Sequence, residues 1–384
     1  MSHEDRIRRF QELLGAAADL AFFPVSSDLQ YLTGIPRPIP NYGAEIHTGS
    51  WLMGAWFAPG KTPILTLPRM MADFGGYGSS DAVDVRVLGD WDDPATMVRT
   101  ILKDFDIGEK PRVAISDWTE GETVSRLAPI IPGASFLSAT DILRTMRVIK
   151  SPEEIEVMRR AGQITEAAFA DVLKQLRHGM TELEVVMEVD YQLRKHGALG
   201  PSFTTSLYNS GPGHPVKFGK SLETWKRVLN PPVSILFDFG AAHDGFCYDF
   251  GRTVFFGEPD ATYRNMFELI MGSQTAGIAA MRAGEATTSE VDAVARQVII
   301  DGGHGDRFRH RLGHGIGMDV HEPPYLVAGN DTLLQEGMMF TVEPSIMAFD
   351  HPDDFSCRVE DVVVARPGGG EPLTSGFRQM QVIE

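Results

Sequence analysis

Three histidines lie in the segment HRLGHGIGMDVHEPP (310–324), among glycine and acidic neighbours. A neutral imidazole is a common metal ligand and the usual proton carrier near neutral pH. The helical HExxH zinc site is excluded, because Tyr325 stands where its second histidine would be and two prolines interrupt the segment. We interpret His314, which lies between glycines that allow close backbone approach, as the ligand. His321 is the better proton-moving or oxyanion-stabilising residue.

A pair of aspartates flanks a predicted β-hairpin in VSILFDFGAAHDGFCYDFGRTVFF (233–256). Asp244-Gly245 is a favoured two-residue turn between two apolar, strand-like runs. With that turn, the odd separation of Asp238 and Asp249 places both side chains on the same face of the hairpin, opposite or diagonal to each other. Two carboxylates this close, among phenylalanines, would repel each other unless a cation joins them. We therefore interpret the pair as metal ligands rather than as solvated strand residues.

Two further carboxylates interrupt apolar runs towards the end of the chain. Glu343 lies in GMMFTVEPSI (337–346) and Glu360 in FSCRVEDVVVA (355–365), and each run is predicted to be a buried strand. Buried glutamates are uncommon unless they are paired or bind a metal. With the aspartate pair and one histidine they form a set of five ligands with four negative charges, which two divalent cations would neutralise. This oxygen-rich set favours Mn²⁺ or Co²⁺, with Fe²⁺ or Zn²⁺ as alternatives, over a structural zinc site.

With these residues in place, the chain from about residue 148 to the end resembles the pita-bread metallopeptidases, which include aminopeptidase P, prolidase and the related creatinase. The motifs that carry the resemblance are DFGAAHDGFCYDFGRT, GHGIGMDVHEPP, FTVEPSI and RVED. The resemblance implies that Asp238 binds one metal ion, that Asp249 and Glu360 bridge two ions, and that His314 and Glu343 complete the second site. It further implies a dinuclear metal-dependent exopeptidase that hydrolyses Xaa-Pro bonds.

The same resemblance implies catalytic roles beside the metal ligands. His321 would not bind metal but would hydrogen-bond the substrate and stabilise the developing oxyanion. Glu343 would double as the proton acceptor for the attacking water. Arg358 precedes Glu360 by two residues, so on a strand it would share that face and orient the ligands or a substrate carboxylate. His310 is given no role and is interpreted as a surface or outer-layer residue.

The sequence departs from the family pattern after Glu343 and in one loop. Ser345 and Met347 stand where the family peptidases usually have a glycine and a tyrosine, and Phe218 stands where a loop histidine is expected. His214 in the same loop follows the order found in creatinase, so we interpret it as a substrate-contacting residue. These departures support an alternative function, a metal-dependent hydrolase or lyase for a small amide, cyclic amidine or betaine-like compound.

Two other functions are weaker. A P-loop in GHPVKFGKS fails because the spacing between its glycines is one residue too long. A non-catalytic interaction protein on the same fold would be indicated by the loss of a metal ligand, and all five are present.

The elements that must position these residues divide at about residue 147. Residues 1–147 alternate short apolar runs with helical stretches, which predicts a smaller α/β domain with a mixed sheet. This part resembles the creatinase-type N-terminal domain, and residues 148–384 are predicted to be the α+β pita-bread catalytic domain. Ser151-Pro152-Glu153-Glu154 predicts a helix start, because it is a capping box with proline in the first turn.

An internal repeat organises the second part. The segments 177–197 and 282–303 share an Arg-x-Gly start, a threonine cap, a glutamate and an amphipathic helix that ends at glycine. Equal spacing separates the glycines of each pair, Gly179 and Gly197, Gly284 and Gly302. We interpret this pattern as a duplicated helix–helix–sheet unit whose sheets form one curved surface, with a site between the halves.

Composition and charge limit the remaining functions. The 384 residues are 43% hydrophobic and 23% charged, which is typical of a soluble globular protein of two domains. The formal net charge of −17 argues against a nucleic-acid partner, and no apolar run reaches the ~18 residues that a membrane span requires. Two cysteines and the charged start MSHEDRIRRF predict a cytoplasmic protein.

A proline- and glycine-rich segment, YLTGIPRPIPNYGAEIHTGS (31–50), is predicted to be a long loop. The family resemblance suggests a homodimer in which this loop, with Tyr42, Trp51 and Trp56 nearby, closes over the site of the neighbouring subunit. The expected partners are therefore a small peptide or small-molecule substrate and a second copy of the chain.

Overall fold

A computed structural model describes residues 1–37, 47–75, 82–217, 222–349, 351 and 353–384. Tyr42 and Phe218, which the sequence singled out, lie outside the described residues. The chain divides into two compact units, Met1–Arg147 and Val148–Glu384. Within the described ranges, none of the helices combines the length and the apolar character that crossing a bilayer requires.

The first unit contains a six-stranded mixed sheet. Its helices are α1 (His3–Ala17), α2 (Ser27–Thr33), α3 (Arg69–Phe74), α4 (Pro94–Asp104), α5 (Gly121–Ile130) and α6 (Ala139–Arg147), with a 3-10 turn at Ser50–Leu52. Its strands are β1 (Leu20–Pro24), β2 (Gly54–Phe57), β3 (Ile64–Pro68), β4 (Asp84–Leu88), β5 (Arg112–Ile115) and β6 (Ser135–Ser138). The strand order is β4-β3-β2-β1-β5-β6, in which β2 runs antiparallel to both neighbours and the other pairs are parallel.

The core of the first unit forms around the interior strands β1 and β2, whose aromatic residues are buried. Phe22 packs against Trp56 with ring centroids 4.7 Å apart, and Phe23 packs against Phe57 at 5.6 Å. Trp56 is fully buried, and its indole nitrogen donates to the Thr66 hydroxyl at 3.3 Å. The expectation that Trp56 helps to cover a neighbouring site is therefore wrong, because this residue belongs to a strand between two others.

The second unit carries the repeat. Its helices are α7 (Pro152–Gln175), α8 (Glu182–Lys195), α9 (Leu222–Trp225), α10 (Ala261–Ala280) and α11 (Thr288–Asp301), with a 3-10 turn at Gly305–Arg307. The strands of its first half are β7 (Gly200–Pro201), β8 (Ser206–Ser210), β9 (Val233–Phe239), β10 (Ala241–His243), β11 (Phe246–Cys247) and β12 (Phe250–Phe256). The later strands are β13 (Gly313–Gly315), β14 (Glu322–Leu326), β15 (Met339–Val342), β16 (Ser345–Ile346), β17 (Cys357–Arg358), β18 (Asp361–Val364), β19 (Glu371–Pro372) and β20 (Gln381–Ile383).

Two larger sheets frame the second unit. One has the order β20-β12-β9-β8 and the other β14-β13-β15-β18-β19, while β11-β10-β7 and β16-β17 form small sheets. All neighbouring strands in these sheets are antiparallel except β12 and β20. A bridge between Gly251 and Glu360 joins the end of one large sheet to the other.

The predicted duplication is present. α8 and α11 both contain 14 residues, and both begin with a capping box, Thr181 with Glu184 and Thr287 with Glu290. At each cap residue an isolated β-bridge pairs the chain with a later segment, Thr181 with Val228 in the first copy and Thr287 with Leu333 in the second.

The copies differ by one residue between the leading glycine and the cap. Gly179 and Gly284 have matching positive φ angles of 84° and 81°. At the far end, Gly197 at 101° corresponds to Gly303 at 79°, whereas Gly302 has a φ of −75°. The sequence pairing of Gly197 with Gly302 is therefore wrong, because the residue that leaves the helix in the left-handed conformation is Gly303.

Candidate metal centre

The aspartates occupy one face of the β9–β12 hairpin, as the turn predicted. Asp244 and Gly245 both have positive φ angles, 46° and 82°, as a type I′ turn requires. In the resulting register Asp238 lies opposite Gly251, so Asp249, two residues earlier on the returning chain, is its diagonal neighbour on the same face. The predicted register is confirmed.

The aromatic residues of the hairpin do not surround the carboxylates. Phe237, Phe239 and Phe250 lie against Phe169 of α7, with ring centroids 5.4, 5.9 and 5.4 Å away. Because side chains alternate along a strand, this packing places Asp238 on the opposite face of the sheet. The argument that aromatic neighbours enclose the aspartates is corrected: the aromatic residues fix the rear of the sheet, and other charged groups face the aspartates.

Glu343 and Glu360 lie at breaks between strands rather than inside continuous strands, which corrects the prediction for both segments. Glu343 falls between β15 and β16, and its backbone nitrogen donates to the Leu312 carbonyl at 2.9 Å. Glu360 falls between β17 and β18, and its backbone nitrogen donates to Gly251 of the other large sheet at 2.9 Å. The backbone nitrogen of each glutamate therefore donates to a segment that is distant in sequence, at the point where two consecutive strands are interrupted.

His314 is buried on β13 and directs one ring nitrogen at the carboxylates. Its Nδ1 lies 3.0 Å from the Gly315 carbonyl, so the Nδ1 proton is donated there. Its Nε2 lies 3.4 Å from a Glu343 oxygen and 3.7 Å from an Asp249 oxygen. The backbone hydrogen bond thus leaves the Nε2 lone pair available to a metal. A side chain would not fit at Gly313, the glycine before His314, because a Cβ there would lie 1.8 Å from the Thr341 carbonyl oxygen.

His321 is exposed and lies beside His314, with ring centroids 3.8 Å apart. By distance alone it could join Asp249 and His314 in a metal site. However, Arg311 Nη2 lies 3.1 Å from His321 Nδ1, and a guanidinium can only donate. The neutral ring therefore carries its own proton on Nε2, which makes that nitrogen a hydrogen-bond donor and argues against a ligand role.

The ligand atoms of the five predicted metal ligands come together in overlapping groups. Within each group the atoms lie no more than 4.8 Å apart. One group is Asp238, Asp249 and Glu360, and a second is His314, Glu343 and Glu360. Glu360 belongs to both, so the arrangement offers two adjacent cation positions with one carboxylate between them.

Burial and mutual repulsion shift the ionisation of these groups. Burial, followed by the charge of Asp238, raises the pKa of Asp249 well above its usual value. Burial likewise raises the pKa of Glu343 to about 7, and burial and Asp249 raise that of Glu360. Burial, followed by the neighbouring His321, lowers the pKa of His314 to about 3, so this imidazole is neutral at physiological pH.

Arg358 is the cation that faces the carboxylates. Its Nη2 lies 2.7 Å from Asp238 and 3.1 Å from Glu360, and its Nη1 lies 3.5 Å from Glu343. Burial lowers the pKa of Arg358, but the three carboxylates outweigh that effect and raise it overall. One arginine does not balance four carboxylates.

The donor set fits divalent cations. Among the described residues, no group donates a hydrogen bond to the buried atoms Asp249 Oδ1 and Glu360 Oε2, although the second lies within ion-pair distance of Arg358. Buried carboxylate oxygens without donors are costly unless a cation binds them. Carboxylate oxygens with a single neutral imidazole suit hard or borderline divalent ions.

A comparison of the sequence with models of protein families identifies the family of this chain. The model of metallopeptidase family M24 matches residues 156–367, which is more than half of the chain. The chain belongs to metallopeptidase family M24. It is a hydrolase of the pita-bread fold, as the motifs predicted, and members of this family use divalent metal ions.

Proteins that are similar to this chain match it over different lengths. An Xaa-Pro dipeptidase of Lactobacillus delbrueckii subsp. lactis is 38% identical over 245 residues, 64% of each chain and thus slightly less than two thirds. The putative dipeptidase YkvY of Bacillus subtilis (strain 168) is 30% identical over 99% of this chain and 100% of its own length. The solved prolidase from Thermococcus sibiricus has a TM-score of 0.87 and 26% identity, with both chains fully covered.

Among the described residues, His214 belongs to none of the groups that could hold a metal ion in this M24 chain. The side chain is buried, with Nδ1 3.2 Å from the Pro212 carbonyl and Nε2 3.2 Å from the Val228 carbonyl. Backbone carbonyls therefore face both ring nitrogens. This placement gives no support to a substrate-contacting role, which stays a prediction.

His310 and Ser345 form a contact behind the ligands. His310 Nε2 lies 2.5 Å from the Ser345 hydroxyl, and Nδ1 lies 2.6 Å from the Arg311 carbonyl. Burial, followed by the charge of Arg358, lowers the pKa of His310 to about 4. His310 thus lies in an outer layer, one of the two interpretations given, and the serine that departs from the family pattern has a partner. Met347 is also buried.

Arg252 is a positioning residue that the sequence did not reveal. Its guanidinium is buried and donates from Nη1 to the carbonyls of Gly251 at 2.8 Å and Glu360 at 2.7 Å. Its Nη2 lies 2.7 Å from Asp361, which also accepts from Gln274 of α10. Arg252 therefore fixes the backbone at the bridge that carries Glu360. An arginine inside an apolar strand, GRTVFF, was the available signal.

Tyr208 and Thr341 are two further residues near the site that the sequence did not reveal. β8 pairs with β9 so that Ser206 lies opposite Asp238, which places half-buried Tyr208 on the same face as this aspartate. Burial and the charge of Asp238 raise the pKa of Tyr208, so its hydroxyl remains a donor. Thr341 Oγ1 accepts from the His314 backbone at 3.1 Å and donates to Glu343 at 3.2 Å, which links two ligands.

Proposed function

We propose that the protein is a dinuclear metal-dependent exopeptidase that hydrolyses Xaa-Pro bonds, of the aminopeptidase P or prolidase type. The observation that carries the proposal is the pair of ligand groups that share Glu360. Two divalent ions, Mn²⁺ or Co²⁺ before Fe²⁺ or Zn²⁺, would neutralise the four carboxylates. Asp238 would hold one ion, Asp249 and Glu360 both ions, and the remaining two ligands the second ion.

The residues around the ions have complementary tasks. Bound divalent ions supply Lewis acidity and activate a water at neutral pH. Glu343, whose buried carboxylate lies 3.4 Å from His314 Nε2, would accept the proton of that water. His321 donates from Nε2 to the oxyanion that develops on the substrate. Arg358 is occupied by three carboxylates, so we assign it to orienting the ligands rather than to binding a substrate carboxylate.

The proposed substrate class rests on the relatives and on the motifs. The Lactobacillus protein is an Xaa-Pro dipeptidase and the Thermococcus protein a prolidase. We therefore propose a small peptide with proline after the first residue as the substrate. Met347 supports the small-amide, cyclic-amidine or betaine-like alternative, because it supplies no hydroxyl where the family peptidases usually have one.

Turnover of defined substrates tests the proposal. Protein loaded with Mn²⁺ or Co²⁺ would be assayed on Xaa-Pro dipeptides, longer Xaa-Pro peptides, matched Xaa-Ala peptides and a panel of small amides. We expect hydrolysis of the proline substrates and little of the alanine controls. Activity on longer peptides without activity on dipeptides would indicate an aminopeptidase. Activity on the small amides alone would refute the peptidase proposal in favour of the alternative.

We also propose a cytoplasmic homodimer whose residues 1–147 form a creatinase-type domain before the catalytic residues 148–384. The division of the chain into compact units and its full-length similarity to the putative dipeptidase YkvY support the domain assignment. Light scattering coupled to size exclusion measures the mass in solution. A monomeric mass together with full activity would contradict the dimer.

A further inference from the structure

The loop between the two histidines is fixed by contacts within the second unit. Residues 316–321 connect the metal-binding His314 strand to His321. Cys247 at the hairpin tip donates its backbone nitrogen to the Gly317 carbonyl at 2.8 Å. Asp319 donates its backbone nitrogen to a carboxylate oxygen of Glu322 at 3.1 Å. The side chain that follows His321 in sequence therefore binds the middle of the loop that precedes it.

Glu322 is held in turn by a buried lysine. Lys150 Nζ lies 3.1 Å from Glu322 Oε2, and the side chains are only 4% and 9% exposed. The backbone nitrogen of Lys150 donates to the Gly337 carbonyl at 3.0 Å, which anchors the lysine to a separate segment. Two charges withdrawn from water cost free energy that their attraction often fails to recover. A stabilising role alone is therefore a poor explanation for this pair.

The ion pair also contacts the backbone of the loop. A Cβ on Gly317 would lie 2.9 Å from Glu322 Oε1 and 3.0 Å from Lys150 Cε. Glu322 begins β14 opposite Gly315 of β13, the residue after His314. The carboxylate of Glu322 thus contacts the middle of the loop, while its backbone follows His321 and pairs with the residue after His314.

We propose that the Lys150–Glu322 ion pair is a positioning device that fixes His321 beside His314. Neither residue touches the reacting atoms. The pair acts by holding the loop at residues 317–319, so that His321 keeps its place over the metal centre. The functional part of this inference rests on the oxyanion role proposed for His321, whereas its structural part does not.

Replacement of both Lys150 and Glu322 by an apolar residue distinguishes an effect on the position of His321 from an effect on the stability of the protein. Lys150→Met and Glu322→Met alone each leave one buried charge without its opposite charge in this ion pair, so both should lower the melting temperature. The double variant Lys150→Met/Glu322→Met removes both charges and should recover most of that loss. Its kcat should remain about 100-fold below that of the unaltered protein, with KM and metal content unchanged, because misplacement of a catalytic group by ~1 Å costs about that much.

The double variant Glu258→Met/Arg264→Met is the matched control, since it removes an exposed ion pair of the same unit. It should leave the melting temperature, kcat, KM and metal content unchanged. A Lys150→Met/Glu322→Met protein with normal kcat would overturn the inference. Should the methionine variants fail to fold, Glu322→Gln keeps the acceptor for Asp319 and loses the charge. An unchanged kcat in that variant would overturn the inference equally.

A crystal structure of the double variant supplies a result that does not depend on peptidase activity. We expect His321 to leave its position beside His314, where the ring centroids are 3.8 Å apart. Retention of that position would overturn the inference even in an active enzyme. If the unaltered protein cleaves no peptide while His321 moves in the variant, the proposed function fails and the positioning role stands.

Discussion

The two halves of the second unit share a scaffold but differ in how they supply ligands. Each half has a long helix, a left-handed glycine, a capping box and a 14-residue helix before its sheet. The first half supplies Asp238 and Asp249 from one hairpin with an unbroken register. The second half supplies His314, Glu343 and Glu360 from three separate segments, two of them at strand breaks.

The layers behind the two sheets differ in the same way. Aromatic packing on Phe169 supports the first sheet, so its ligands need only a strand and a turn. Behind the second sheet, Asp361 of β18 accepts from Gln274 of α10 and from Arg252, which reaches it from β12 of the first half. A duplicated fold can thus keep its caps and helices while one half holds ligands by apolar packing and the other by buried hydrogen bonds.

The largest expected effect comes from removing a carboxylate that the two proposed ions would share. Asp249→Ala from the first half and Glu360→Ala from the second should each abolish turnover and lower the metal content, because each removes one of the four carboxylates proposed to hold the ions. Elemental analysis after dialysis and kcat measurement check both outcomes. Asp244→Asn in the same hairpin, with an exposed side chain, is the control. Two bound ions in either alanine variant would show that the halves do not share the site.

His321→Ala should lower kcat by about 10²–10³-fold, as the loss of an oxyanion donor does in other enzymes. Metal content should remain that of the unaltered protein, because Arg311 holds His321 Nδ1 and leaves Nε2 protonated. Steady-state kinetics and elemental analysis measure the two quantities, with exposed His351→Ala as the control. Loss of metal from His321→Ala would contradict its role as a donor.

Arg252→Lys tests the polar support of the second half. The lysine keeps the charge but cannot donate to Gly251, Glu360 and Asp361 together, so the backbone that carries Glu360 should loosen. We expect metal affinity to fall by about 10–100-fold, the range for partners behind the ligands. Competition with a chelator measures the affinity, and Arg264→Lys on the surface is the control. Unchanged affinity would show that aromatic packing in the first half suffices for both.

Metal affinity should also depend on pH through the carboxylates rather than through the histidine. The pKa of metal-free Glu343 is raised to about 7, and metal binding requires its ionised form, so the ion must displace a proton below that pH. Affinity should therefore fall as the pH is lowered, by about tenfold or more per pH unit below pH 7, because Asp249 and Glu360, whose pKa values burial also raises, must lose their protons as well. His314, with its pKa lowered to about 3, adds no step in this range. Calorimetry in buffers of different ionisation enthalpy measures the number of protons released when metal binds. Metal binding without proton release at pH 6 would contradict the raised pKa of Glu343.

The smallest expected effect concerns Tyr208 on the edge strand of the first half. Tyr208→Phe removes one hydroxyl from the face that carries Asp238, and a single neutral hydrogen bond contributes about 0.5–1.5 kcal/mol. We expect kcat/KM to fall by about 2–12-fold with metal content unchanged. Tyr191→Phe, on the exposed face of α8, is the control. Equal kcat/KM in the Tyr208 variant and this control would remove Tyr208 from the substrate surface.

The sequence predicts the first half better than the second because its information is local. The turn Asp244-Gly245 sets the register of the aspartates over a few residues, and the caps of α8 and α11 are short patterns. The strand breaks at Glu343 and Glu360 depend on pairing with Leu312 and Gly251, which are distant in sequence. No local pattern contains that pairing, so these segments read as continuous strands.

Side-chain networks were the hardest part to foresee. The roles of Arg252, Thr341 and the Lys150–Glu322 pair follow from contacts across more than a hundred residues or between neighbouring strands of one sheet. The role of His214 stays a prediction, since its sequence neighbours suggest a substrate contact while backbone carbonyls face both ring nitrogens. Residue type and motif predicted which side chains come together in the candidate ligand groups, but the contacts that support each side chain required the fold.

The metal stoichiometry of reconstituted protein tests the central claim most directly. Protein stripped with a chelator, reloaded with Mn²⁺ or Co²⁺ and dialysed would be analysed for bound ions per chain. We predict two ions per chain, since Glu360 belongs to two ligand groups. Full peptidase activity with no more than one ion per chain, or no bound ion under any loading condition, would contradict the account.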